Sequence, residues 1–451
     1  MDAKAEAGAE RYEVTRNACV VCSPLGAALV FAGVERGMTL LHGSQGCATY
    51  IRRYVISHFR EPLDVASSSF TEESAVFGGG ANLRLALANL ISEYEPALVG
   101  VATTCLAETI GEDAASIRHS LGLGSKSPGA ASPTLSSAPL IVAVSTPSYR
   151  GSHREGFRAA LRALTEAANP PGMDPDRRKR AVRPLVALFP AMISPADIRG
   201  LKADFAAFGL EAIFACDYSD TLDGGPWKEH RLLPEGGTPV ASLALMKTAA
   251  ASIEFGAEIS NELSAAAYLE EAHGVPRRAL SLPVGVKATD AFMDALVDIA
   301  GKSLPRALEA ERARLLDSYA DGHKYVFGKR ALLYGDTDFV DALAAFLREI
   351  GMVPLFPRGE GRDFSQAEAA ARASAEAGAP VDLVIGNGKG YKTAVKLGAP
   401  LVRVGFPIHD RFGGQRLRIL GYGGTQELFD RIVNALIERR QEDSHVGYTY
   451  Y

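Results

Sequence analysis

The chain reads as an α/β protein of three Rossmann-like domains, each a mostly parallel sheet flanked by helices. Three features predict this. Apolar, β-branched runs of strand length recur along the chain, longer Ala/Leu-rich stretches with helical spacing separate them, and the alternation repeats about three times.

In the first domain, placed at 1–170, PALVGVATT and PLIVAVSTP read as buried parallel strands. Between Asn82 and Tyr94, Leu83, Leu85, Leu87, Leu90 and Ile91 recur at helical spacings. The Ser/Pro/Ala/Gly-rich KSPGAASPTLSSAP, around 126–139, reads as a surface excursion between those two strands, and PPGMDPDRRKR marks the domain break. The second domain, 171–300, opens on the strand VRPLVALFP, passes into a helix beginning near Pro195 and reaches the strand EAIFAC. A long helical stretch over 284–322 leads into the third domain, 301–451, where KRALLYGD, MVPLFP, DLVIGN and LVRVGF alternate with helices. Open parallel sheets bind ligands at the carboxyl ends of their strands, so the loops after these strands are where function is expected.

Composition bounds the partners. With 451 residues, 47% hydrophobic and 22% charged, the chain is long enough to bury several cores. A net charge of -5 leaves no basic excess for phosphate backbones, so no nucleic-acid partner is expected, and the run Arg177, Arg178, Lys179, Arg180 reads as a solvated loop. The polar start MDAKAEAGAERYEV lacks the apolar core of a signal peptide, and no apolar stretch is long enough to span a bilayer; a cytoplasmic protein without a membrane partner is expected.

Five cysteines, an odd number, argue against a disulfide framework and leave metal ligation, redox chemistry or burial. Cys22 opens CSPLGA, Cys47 closes HGSQGC, and Cys105 follows a predicted strand in ATTC. Thiolates are soft ligands suited to iron, and adjacent glycines let backbone amides approach an anionic cluster. Against this stands ordinary packing, since free cysteine is among the most buried residue types. Three thiolates are one short of the four that a four-iron cluster needs, so ligation by Cys22, Cys47 and Cys105 would require a further residue or a second chain. Cys19 forms a C-x2-C with Cys22, but no second pair or nearby histidine completes a zinc site, and its role stays unassigned; Cys216, in a strand-like run, reads as core. GNGKG at 386–390 lacks the phosphate-loop frame and carries little weight.

At these residues the sequence becomes recognisable. CSPLGA, LLHGSQGCATYIRRY, SHFREP, FTEESAVFGGGANL, ATTCLAETIGED and TPSYRGSH together resemble the β-type chains of the nitrogenase component-1 superfamily. The resemblance continues through LPVGVKATDAFMDAL and GHKYVFGKRALLYGD to DLVIGNGKGYKTA and LVRVGFPIHDRFGGQR, so it spans all three domains. It implies that Cys22, Cys47 and Cys105 hold half of a P-cluster-type [8Fe-7S] iron-sulfur center shared with a homologous α-type chain, or complete a [4Fe-4S] cluster with that partner's thiolates. Ser152 matches a serine that ligates the oxidised cluster in such chains, although a helix-capping serine is an equal reading of the residue itself. Phe77, at the foot of a predicted helix in AVFGGG, matches an aromatic position where the ATP-dependent iron protein docks; the plain alternative is a hydrophobic helix entry. An α2β2 assembly is implied, with ATP bound by the iron protein and no catalytic acid or base in this chain; His42, His58, His153 and His409 are then expected to shape loops and donate hydrogen bonds.

Two roles stay open within the resemblance. One is the electron-relaying subunit of a working reductase, with methylthio-alkane reductase favoured by the absence of a long N-terminal extension. The other is a subunit of the scaffold on which the iron-molybdenum cofactor matures.

Overall fold

The computed structural model describes residues 21–121, 138–172, 184–229, 231–256, 258–356 and 364–445. Cys19, most of the 126–139 excursion and the basic run at 177–180 lie outside them.

Three four-stranded sheets form the described architecture, all of whose strand pairs are parallel. The first contains β1 (Gly37–His42), β2 (Val65–Ser67), β3 (Leu98–Thr103) and β4 (Leu140–Val144). The second contains β5 (Leu185–Phe189), β6 (Glu211–Phe214), β7 (Ala251–Phe255) and β8 (Arg277–Leu280). The third contains β9 (Arg330–Leu333), β10 (Val353–Leu355), β11 (Leu383–Gly386) and β12 (Leu401–Arg403). Their spatial orders are β2-β1-β3-β4, β6-β5-β7-β8 and β10-β9-β11-β12, one topology used three times. In each, the chain reverses its direction of travel across the sheet between the first and third strands, and a crevice opens there at the carboxyl edge. In the first sheet that switch point is the register pair His42 and Thr103.

Strand alternation splits β1 between two cores. Leu41 faces the large core, while Met38 and Leu40 face a smaller cluster with Leu83, Leu87, Val99 and Val101. Covering the large-core face is the helix Ser23–Ala32, all ten residues of which are buried. A helix apolar on every side must be enclosed, and this one lies between the first sheet and the helix His153–Ala168. The two helices touch backbone to backbone. A Cβ on Gly26 would fall 1.8 Å from the His153 carbonyl oxygen, and one on Gly156 would fall 1.9 Å from that of Ser23. On its other side the Phe31 ring occupies the space a Cβ on Gly100 would need. Burying a phenylalanine side chain in this way contributes roughly 1.5–3 kcal/mol.

The units are stitched by polar contacts at helix ends. The Asp217 and Thr238 amides donate to the Gly33 carbonyl at 2.8 and 2.9 Å, and the Thr221 hydroxyl donates to Ala32 O at 2.8 Å. These satisfy carbonyls that the end of the Ser23–Ala32 helix leaves open. The single helical stretch expected over 284–322 is two helices, Val286–Ala300 and Arg306–Val326. The first ends on Gly301 in the left-handed conformation, and Pro305, which lacks an amide proton, precedes the second. Among the described residues no helix is long and apolar enough to cross a membrane. Cys216, expected in the core, is fully buried just after β6.

Candidate iron-sulfur site at the carboxyl edge of the first sheet

The fold gathers the predicted cysteines at the switch point. β1 ends at His42, and Cys47 is the third residue of the following helix, Gln45–Phe59. β3 ends at Thr103, and Cys105 opens the helix Cys105–Thr109. Cys22 directly precedes the helix Ser23–Ala32, whose early Pro24 suits a first turn that needs no amide donor there. Ser152, past β4, pairs with Cys22 in an isolated antiparallel bridge, locked by the His153 amide donating to Val21 O at 2.8 Å. The glycine contact between the two helices therefore sets the position of both Cys22 and Ser152.

The three sulfurs share one electrostatic environment. Burial pushes the Cys22 thiol up, the Ser148 hydroxyl pulls it the other way, and the Cys105 and Cys47 sulfurs push it up further. Cys22 and Cys47 are half-buried and Cys105 is exposed, so the site opens outward on the Cys105 side, where Leu106 and Tyr149 are also exposed. The Ser148 amide donates to Cys105 Sγ at 3.3 Å, and Ser44 Oγ lies 3.8 Å from Cys47 Sγ. No trio of His, Cys, Asp or Glu among the described residues is gathered tightly enough to hold a single metal ion. Three separated thiols, all free of disulfides and ringed by hydrogen-bond donors, suit a broader sulfur-bridged cluster, whose binding would release the thiol protons.

Ser152 is a helix cap here. It receives the Arg154 amide, its hydroxyl donates to Glu155 Oε2 at 2.6 Å, and the Glu155 carboxylate returns to the Ser152 amide at 2.7 Å. This reciprocal capping box satisfies two otherwise open donors. Phe77, expected at a helix foot, is the last residue of the helix Glu72–Phe77; it is 83% exposed beside Val76 at 75%, an unusual display of apolar surface. Gly78, at φ 94°, turns the chain from there into the helix Gly80–Tyr94.

Each of the four histidines has a hydrogen-bonding or ring-packing partner. His42 is fully buried, with Nδ1 3.0 Å from Ser68 Oγ and Nε2 2.6 Å from Glu112 Oε2. His58 Nδ1 accepts the Ile408 amide at 2.9 Å, and His153 Nδ1 accepts the Val21 amide at 3.3 Å. His409 stands edge-on to Tyr54, 6.2 Å between ring centers. GNGKG forms a short turn capped by Asn387, whose side chain receives the Lys389 amide.

Four residues escaped the sequence reading. Ser148 and Glu112 lie inside quoted motifs but gave no signal without their partners in space. Tyr50 and Tyr54 did carry one: with Cys47 and His58 they recur three to four residues apart along one helix. Their rings lie 4.5 Å apart, and Lys389 Nζ donates to the Tyr54 hydroxyl at 2.6 Å. Burial, then the neighbouring Tyr54 and Cys22, push the Tyr50 phenol up. Burial also raises the Tyr54 phenol, but Lys389 and Tyr50 together outweigh it and bring the group below its usual value.

Comparison with known proteins agrees with this geometry. The family model described as Nitrogenase component 1 type Oxidoreductase matches residues 22–437. The chain is 33% identical to the nitrogenase molybdenum-iron protein beta chain of Methanococcus maripaludis, covering 94% of this chain and 95% of that one. Against the beta chain of Clostridium pasteurianum the identity is 32%, with 98% of each covered. A solved chain of nitrogenase Cp1 at pH 6.5 superposes with a TM-score of 0.83 at 31% identity, covering 99% of this chain and 98% of that chain. Another, from nitrogenase Cp1 at pH 5, shares the fold at 15% identity and a TM-score of 0.64. A near-complete family match, relatives of similar length and a matching three-sheet fold agree on one conclusion: the chain belongs to the nitrogenase component 1 type oxidoreductase family and is a β-type chain of it.

Proposed function

We propose that this chain is the β-type subunit of a nitrogenase-like component-1 reductase, in which Cys22, Cys47 and Cys105 hold their half of a P-cluster-type center shared with an α-type partner in an α2β2 assembly. The observation that carries this is the convergence of three free thiols at one switch point, open on the Cys105 side. When bound, such a center supplies one-electron transfer between an ATP-dependent iron protein and the partner's metallocofactor. The chain's own residues hold and insulate it. Gly43 lets the Cys47 loop pack against Thr104, the Ser148 amide donates to sulfur, and buried His42 braces the Cys47 loop. The exposed Val76–Phe77 corner is the proposed docking point for the iron protein. Substrate bonds break in the partner, so both dinitrogen and methylthio-alkanes belong in the assay of the assembled complex.

A second reading, a cofactor-maturation scaffold with a simpler [4Fe-4S] cluster, is favoured by one observation: both hydrogen-bonding capacities of Ser152 are engaged in the capping box, as expected of a purely structural serine. Iron content and EPR of the anaerobic complex with its natural partner separate the two. About eight interfacial irons per pair, EPR-silent when reduced and paramagnetic on oxidation, support the reductase; about four, paramagnetic when reduced, support the scaffold. Protein without iron sinks both.

A further inference from the structure

A cation-rich face lies where the third sheet meets the helix Gln45–Phe59. Lys389 follows β11 and His409 follows β12, so both stand at the carboxyl edge of the third sheet, where open parallel sheets present their loops. The two loops hold each other: the Gly388 amide donates to Pro407 O at 2.9 Å, and Arg403 grips the Asp410 carboxylate, Nη2 donating to Oδ2 at 2.7 Å and Nε to Oδ1 at 3.1 Å. Tyr54 packs against both. Lys389 Nζ donates to its hydroxyl at 2.6 Å and stands 4.8 Å from its ring center, and His409 is edge-on to that ring.

Positive charge gathers here without an answering carboxylate. Arg53 and Arg60 are seven residues apart, about two helical turns, so they lie on one side of the helix, and both are exposed. Arg52 pairs with Asp64 at 3.5 Å, but among the described residues neither Arg53 nor Arg60 has a carboxylate within ion-pair distance. Asp410 is committed to Arg403, and Glu61 lies by Asp223 and Arg416. Burial and then Lys389 hold the His409 ring's pKa low; Arg53 and Arg60 add to this against Asp410, so all of these cations reach the same loop. Phe412, 80% exposed with Arg416 over its ring, supplies an apolar anchor on that loop.

Chemistry and continuity together say what covers this face. Guanidinium and ammonium groups only donate hydrogen bonds, so their complement is an anionic acceptor, a carboxylate. The exposed positions Gly46, Thr49, Arg53 and Arg60 run along the helix from beside Cys47, and a rise of about 1.5 Å per residue puts Tyr54 roughly 10 Å beyond that cysteine. A chain that completes the ligand set at Cys47 continues over this stripe. We propose that Arg53, Arg60 and Lys389 form an interaction surface for carboxylate side chains of the α-type partner, and that this contact sets the partner's register over the cluster cysteines. The inference rests on the reading of this chain as one half of an α- and β-type pair.

The test is the dissociation constant of the complex with its natural partner, read by sedimentation on dilution, for wild type, Arg53→Glu, Lys389→Met and the control Arg314→Glu on the exposed face of the helix Arg306–Val326. It is measured at about 0.1 M and about 1 M salt, between which screening cuts the reach of exposed charge from roughly 10 to 3 Å. R53E sets like charge against the partner's carboxylates and is expected to weaken the pair about tenfold or more at the lower salt, K389M by less, and both should converge on wild type at the higher. R314E should bind as wild type does. Wild-type binding by R53E and K389M at both salts overturns the proposal, as does an equal weakening in R314E, which would reflect net charge alone. A self-association of this chain that R53E abolishes while the pair with the partner stays intact assigns the face to a second copy and overturns it too. A wild-type chain that does not bind the partner overturns the pair reading and this inference together, whereas iron counted in the same samples tests the cluster reading separately.

Discussion

Glu112 joins two parts of the first domain through a single carboxylate: Oε2 lies 2.6 Å from Nε2 of His42, at the end of β1, and Oε1 accepts the Gly79 amide at 2.6 Å. Ser68 Oγ accepts the Gly43 amide at 3.0 Å and stands 3.0 Å from His42 Nδ1. Burial holds the His42 imidazole pKa low, and Glu112 opposes that only in part. Phe70 completes the contact, lying edge-on to His42 at 4.8 Å and filling the space a Cβ on Gly79 would need. The corner that displays Phe77 and the loop that carries Cys47 are thus tied through one side chain.

Replacing Glu112 with Ala strands the Gly79 amide and His42 Nε2, each a partly or fully buried polar group. The expected cost is roughly 1–3 kcal/mol per stranded group. Hydrogen exchange should quicken at Gly79 and Gly43 together. Glu112→Gln, which keeps one accepting oxygen, should lose about half as much stability. Exchange that stays at wild-type rates in E112A would show that the tie bears no load.

At the helix contact beneath the site, Gly26→Ala and Gly156→Ala each place a methyl group inside backbone atoms that cannot give way. Overpacking of this kind costs about 1–3 kcal/mol, and more where backbone must move. Because the same contact positions Cys22 against Ser152, both variants should also lose iron in proportion to their loss of stability. Gly46→Ala is the control: its nearest neighbour is a serine side-chain atom 4.0 Å away, so a methyl group there fits with ordinary contacts. A G26A protein as stable as G46A would contradict the packing argument.

His58 makes the fold sensitive to acid. Burial lowers its pKa from 6.5 to about 3, and the Ile408 carbonyl, 3.3 Å from Nδ1, opposes that only in part. The unfolded chain takes up a proton as pH falls through 6.5 while the folded one does not, so stability is complete above that value and drains away toward 3. At about pH 5 the loss is roughly 2 kcal/mol from this one group. Denaturant titrations at about pH 7.5 and 5 should show it, and His58→Asn, whose side-chain oxygen still accepts the amide without titrating, should flatten that part of the slope. An unchanged slope in H58N would assign the acid sensitivity elsewhere.

Much of this architecture was legible in the sequence because parallel strands buried on both faces write themselves as apolar runs: LVGVAT, LIVAV, LVALF and LVIG are strands as their composition demands. Two short edge strands do not. β2 is three half-buried residues, VAS, and β8 is RRAL with two exposed positions; neither carries a hydrophobic signature to read. The helix break at Gly301 to Pro305 was visible in residue type, yet the apolar periodicity on either side masked it. At the site, Cys22, Cys47 and Cys105 stood out by chemistry and glycine context, whereas Ser148 and Glu112 have meaning only once strands distant in sequence are laid side by side.

The helix His153–Ala168 meets the start of the helix Thr337–Glu349 through a buried charge cluster whose removal has a definite sign. Arg158, 1% exposed, donates to Asp338 Oδ2 at 2.8 Å and also to the Phe255 carbonyl; Arg154 donates to Asp338 Oδ1 at 2.9 Å. Burial alone would raise the Asp338 carboxyl, but the two guanidinium groups outweigh it and hold it below the usual carboxylate range. Asp338→Ala takes the carboxylate from the buried Arg158, while Arg154 keeps Glu155, and should cost about 3–5 kcal/mol. Replacing Arg158 together with Asp338 by apolar residues, R158M with D338L, removes charge from both sides at once and should recover a good part of that loss, since a buried ion pair repays little more than its own desolvation. A double-mutant cycle on urea midpoints measures the difference. A double variant no more stable than D338A would mean that the cluster is needed for the arrangement of the three sheets and cannot be exchanged for packing.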